Sequence, residues 1–70
     1  MSSIQAVIFH NKLWTTETAR AWLKKHKYKP IKRVDKTLNY LRYRLIEPNK
    51  FKNFIMKKTG TGIKLVIGYK

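Results

Sequence analysis

Side chains able to make or break a covalent bond are scarce in this chain. The only acids are Glu17, Asp35 and Glu47, and the only histidines are His10 and His26. Two-metal hydrolysis needs clustered carboxylates, and glycoside hydrolysis needs a facing pair. These three acids are scattered, and each has a structural place: a first helical turn, a loop and a strand end. A zinc site takes three or four ligands, and neither histidine has an acidic neighbour in sequence, so both read as surface or partly buried residues. Cysteine is absent, which excludes disulfides, thiolate zinc sites, iron–sulfur clusters and cysteine nucleophiles. Thr59-Gly60-Thr61-Gly62 has two glycines but not the lysine and hydroxyl spacing of a phosphate loop, and reads as a hairpin turn. Neither an enzyme nor a bound cofactor is expected.

The cations carry the remaining chemistry. Seventeen Lys and Arg against three acids give a formal net charge of +14, one excess positive charge for every five of the 70 residues. The hydrophobic share of 43% is too high for a disordered basic tail, so residues 1–70 are expected to form one folded basic domain. Lys24, Lys25, Lys27, Lys29, Lys32 and Arg33 make the densest run, with Arg20 just before it. Duplex DNA presents one negative charge per roughly 1.7 Å, and a run without interspersed acids can track such a backbone. Arg42 and Arg44 lie beside Tyr40 on one face of an alternating segment. Arginine grips phosphate bidentately, and an aromatic ring stacks on a base. The competing reading makes Tyr40 and Tyr43 core or dimer contacts and the two arginines simply solvated. These nine cations are the candidate nucleic-acid-binding residues, with double-stranded DNA the expected ligand. Contacts to phosphate position a protein without reading bases, so the binding is expected to be largely independent of sequence.

The elements that must position these residues are legible in outline. Residues 3–9, SIQAVIF, read as a strand, with Ile4, Ala6 and Ile8 on one face and Val7 and Phe9 on the other. Apolar residues on both faces predict a central strand. Thr15 or Thr16 caps a helix reaching Lys25 or His26, and Glu17 suits its positive N-terminus. Ala19, Trp22, Leu23 and His26 follow helical spacing and form the expected buried stripe. Trp22 therefore reads as core, and Trp14 as a staple of the helix start. Pro30 ends the helix, and residues 31–36 form a short extended piece or loop. Residues 39–46 alternate as a strand, placing Leu41, Tyr43 and Leu45 opposite Tyr40, Arg42, Arg44 and Ile46. A short helical turn follows at 49–51, then an extended segment at 54–58 and a last strand at 63–69. The expected class is α+β, a two-layer β-α-β-β-β arrangement with one helix on a small, mainly antiparallel sheet.

A domain this small rarely gains more than a few kcal/mol from its own core. Without disulfide or metal support, self-association is the expected reinforcement, and a homodimer is anticipated. No apolar run approaches the roughly 20 residues that cross a bilayer, and MSSIQAVIFHNK lacks the charged start and apolar stretch of a signal peptide. The helix's apolar face is needed for the core, which argues against a membrane role.

The blocks SIQAVIF, WTTETARAWLKKH, NYLRYRLIEPNKF and GIKLVIGYK together resemble a small domain of large DNA viruses and tailed phages. Over residues 3–69 the pattern is most similar to the small, basic, virion-packaged proteins of the marseillevirus group. The resemblance implies a DNA-associated particle component, and with the excess of cations the expectation is a protein that coats or condenses DNA, located in the virion and, during infection, in host cytoplasm or nucleus. It implies no active-site residues. The alternative is a structural protein that docks to acidic capsid proteins or an inner membrane, or a host-directed effector acting early in infection.

Overall fold

The computed structural model describes residues 2–70. Its elements are β1 (Ser2–His10), α1 (Thr16–Lys25), β2 (Asp35–Lys36), β3 (Tyr40–Arg44), a 3-10 turn (Pro48–Lys50), β4 (Asn53–Lys58) and β5 (Ile63–Tyr69). The five strands form one sheet in the order β2-β3-β1-β5-β4, antiparallel at every pairing. With α1 packed on one face, this is the small α+β fold that the alternation predicts. The expected four strands become five because Asp35 and Lys36 pair with Arg42 and Leu41 at the sheet edge.

β1 lies at the centre because apolar side chains leave it in both directions. Val7 and Phe9 pack with Ala19, Leu23, Leu41, Tyr43 and Ile63 on the helix side. Ala6 and Ile8 pack with Val66 and Tyr40 on the other side. Ile4 departs from the expected alternation. The β1–β5 register shifts between Ile4 and Ala6, so Gln5 is an extra residue, and Ile4 packs with the Val7 and Phe9 cluster instead of with Ala6 and Ile8. Gln5 is buried at this bulge, and its side-chain amide and backbone carbonyl are hydrogen-bonded. Its Nε2 donates to the Ile46 carbonyl at 2.8 Å, and its backbone carbonyl accepts from the amides of Leu45 at 2.8 Å and Ile46 at 3.2 Å. A bulge of this kind bends the strand and re-aims the side chains beyond it.

α1 begins with a reciprocal cap. Thr15 Oγ1 accepts from the Thr18 amide at 3.1 Å, and Thr18 Oγ1 accepts from the Thr15 amide at 2.9 Å, which satisfies two of the free donors of the first turn. Ala19 and Leu23 are buried, and Trp22 is half-buried with its ring edge-on to Phe9 at 5.6 Å. Trp14 fixes the helix entry to the sheet: its Nε1 donates to the Thr61 carbonyl at 2.8 Å, and its ring lies 5.1 Å from that of Phe9. His26 is exposed rather than part of the buried stripe. It is the C-cap, where the chain leaves the helix, and its ring stacks on Trp22 at 3.9 Å.

Two substitutions probe this packing. Leu23→Ala empties a site that is 1% exposed and is expected to cost about 2–5 kcal/mol. Gly68 lies under the Phe51 ring, where an added Cβ would overlap it, and Gly68→Ala is expected to cost about 1–3 kcal/mol. Urea denaturation measures both losses.

Candidate nucleic-acid interface

The turn after α1 helps to shape a concavity. The Tyr28 amide donates to the Leu23 carbonyl at 2.9 Å and the Lys27 amide to the Lys24 carbonyl at 3.1 Å. This is the double closure of a Schellman motif, with a contact between Tyr28 and the core that contains Leu23. Lys27 takes φ 62° there, the left-handed conformation that glycine usually supplies at this position. The chain then runs beside α1, and the Ile31 amide ties it to the Arg44 carbonyl at 2.9 Å.

Between α1 and this strap lies a cleft of about 1140 Å³. Thr16, Arg20, Leu23, Lys24 and Lys27 line it from the helix side, a spacing of four, three, one and three residues that shares one flank. The strap contributes Lys29, Lys32 and Arg33, and β2 contributes Lys36. Leu23, Tyr28, Val34 and Tyr43 supply apolar surface between them. Seven of the lining side chains are cations and none is acidic.

Few of these charges are neutralised within the chain. Lys32 Nζ meets Glu47 at 3.1 Å, and Arg44 meets Asp35 at 3.7 Å. Both pairs are substantially exposed and contribute little to stability. Tyr43, in the wall of the cleft, donates through its hydroxyl to the Thr16 carbonyl at 3.3 Å. Burial pushes its phenol above the ordinary value, and the positive charge of Arg20 acts in the opposite sense.

The cleft gathers six of the nine candidate cations: Arg20, Lys24, Lys27, Lys29, Lys32 and Arg33. Lys25 is exposed and does not line it, because one residue along a helix turns the side chain about 100° away. Arg42 and Arg44 lie on the opposite face of the sheet. Their neighbours in the alternation, Leu41 and Tyr43, point into the helix-side core, whereas Tyr40 packs against Ala6, Ile8 and Val66 on the far side. There, Ile8, Thr37, Tyr40, Arg42, Met56 and Lys64 enclose a smaller hollow of about 270 Å³. Lys64 Nζ stands 5.4 Å from the centre of the Tyr40 ring. Sequence reading omitted Lys36 and Lys64. Alternation through IKLVIGY separates Lys64 from Ile63 and Leu65 and signals its face, whereas Lys36 reaches the cleft only through the β2–β3 register. Among the described residues, no three His, Asp or Glu side chains gather in one place. No family model, curated protein or solved structure matches this chain.

The Tyr43 environment has a measurable consequence. A phenol whose folded value is raised keeps its proton in the native state after the unfolded chain has lost it. Its stabilisation is therefore complete below about pH 10 and declines as the pH rises through the folded value. Denaturation free energies of the parent should fall more steeply above that pH than those of Tyr43→Phe, the titration of lysines being common to both. Parallel declines would contradict the assignment.

Proposed function

We propose that the protein is a non-enzymatic nucleic-acid-binding protein whose α1-flanking cleft takes the phosphate backbone of duplex DNA, largely without regard to base sequence. The observation that carries this reading is the lining of the cleft: seven cations around an apolar floor with no acid among them. A chain at +14 repels itself in its compact state, and phosphates would relieve that repulsion where it is densest. Lys27 supports the same reading. A left-handed conformation costs a non-glycine residue about 1–2 kcal/mol, and glycine would serve the turn alone. Lysine adds a cation at the mouth of the cleft.

The resemblance to virion-packaged basic proteins makes a viral genome the natural ligand, coated or condensed within the particle. A homodimer belongs to the same proposal. Phe54, Ile55 and Met56 on the edge strand β4 are 43%, 49% and 57% exposed, an apolar stretch that a second copy can cover.

Salt titration of duplex binding tests the site. If six or seven cations touch phosphate, log K falls against log salt with a slope of about −5 to −6. Lys24→Gln and Arg33→Gln are each expected to flatten it by about one unit, and Lys25→Gln is expected to leave it unchanged. Lys27→Gly should flatten the slope and yet raise stability by about 1 kcal/mol, a pairing that a purely structural role would not give. Slopes insensitive to Lys24, Lys27 and Arg33 would remove the cleft from the interface.

A further inference from the structure

We infer that the sheet face opposite α1 is a second nucleic-acid surface, so that a single copy of the protein bridges two separate nucleic-acid segments. The inference rests on the cleft being a phosphate site. In the strand register Lys58 lies opposite Lys64, Lys64 opposite Ile8, and Ile8 opposite Arg42. Directly paired residues share a face, so three cations and one apolar residue form a row across β4, β5, β1 and β3. At about 4.8 Å between strands, Lys58 and Arg42 stand roughly 14 Å apart at their backbones. Arg44 adds a fourth cation by alternation, and Asp35, opposite Arg42 in the register, is the acid of this face. Ala6, Ile8 and Val66 are buried at the floor, while the charged chains stand at the rim. Phe54 and Met56 share this face at the β4 edge, opposite Gly68 and Val66, and are 43% and 57% exposed, but it is the cations and not this apolar pair that span the sheet, which favours a charged polymer.

The sheet separates this row from the cleft. The molecule measures 31 × 20 × 19 Å, so one duplex reaching both surfaces would have to curl around a body about 20 Å thick. Duplex DNA has a persistence length of about 50 nm, and such a bend is prohibitive at this scale. Two surfaces of like charge on opposite faces therefore engage two segments, and cross-linking of DNA follows from the monomer's own geometry.

Capture of a free fluorescent duplex by an immobilised duplex, with the protein as the only link, tests this directly. The parent protein should capture the free duplex at concentrations where it saturates the immobilised one. At a dilution where light scattering gives a monomer's mass, the combined variant Arg42→Gln, Lys58→Gln, Lys64→Gln should bind the immobilised duplex and lose capture, its retained binding showing that it folds. The milder Lys64→Gln alone should weaken capture without altering single-duplex binding. Binding without capture by the parent would overturn the inference and leave the cleft proposal standing, whereas absence of any duplex binding would end both. Capture that survives the triple substitution would assign bridging to paired copies of the cleft and contradict a second surface. Vesicles containing phosphatidylserine supply a further arm. If the triple variant bridges normally and fails only on vesicles, the face belongs to a membrane and the inference falls.

Discussion

Like-charge repulsion is the constraint around which this molecule is organised. Seventeen cations share 70 residues with three acids, and folding must bring them closer without placing any in the interior. β1 makes that possible. Residues 5–9 are buried without a charge among them, and the strand anchors apolar side chains from both layers. Strands β3 and β5 flank it and pass the burial outward, so the lysines and arginines are left at rims, turns and edges. Among the described residues only two ion pairs relieve the repulsion, and both are exposed. The uncompensated charge is therefore a property of the surface rather than a defect of the core.

That surface is not uniform. The turn after α1 concentrates cations on one flank of the helix, and the strand register aligns a smaller set on the opposite face. Lys27 sits at φ 62°, where glycine avoids the steric cost. A lysine there makes sense if the charge at that point matters more than the local strain. The same logic applies to the strap at 27–36, whose cations face α1 across an apolar floor. Hydrophobic packing by Tyr28 and Val34 holds it there and so sets the spacing of the charges.

Much of the fold was legible because its periodicities are clean. SIQAVIF carries apolar residues in both directions and could only be central. Thr15 and the Ala19–Leu23 spacing locate the helix, and alternation through NYLRYRLI separates Tyr43 from Arg42 and Arg44. Three features escaped for identifiable reasons. The bulge at Gln5 inverts the side of Ile4, and it depends on hydrogen bonds to residues 45 and 46, distant in sequence. His26 fits a helical stripe by spacing, but the left-handed turn at Lys27 ends the helix beneath it. The grouping of candidate cations was the least legible part. The run from Arg20 to Arg33 and the pair Arg42 and Arg44 read as two clusters of one nucleic-acid site, and the packing of the helix on the Leu41 and Tyr43 side of the sheet shows that they occupy opposite faces. Lys36 joins the first group through a two-residue strand too short to announce itself.

Cationic density in this protein is placed rather than merely abundant. Backbone amide resonances followed during titration with duplex DNA test it most directly. Shifts are expected to concentrate at residues 20–36 and around Arg42, Lys58 and Lys64, with Lys12, Lys50, Lys52 and Lys70 largely silent. Shifts spread evenly over every lysine, or none at moderate ionic strength, would contradict it.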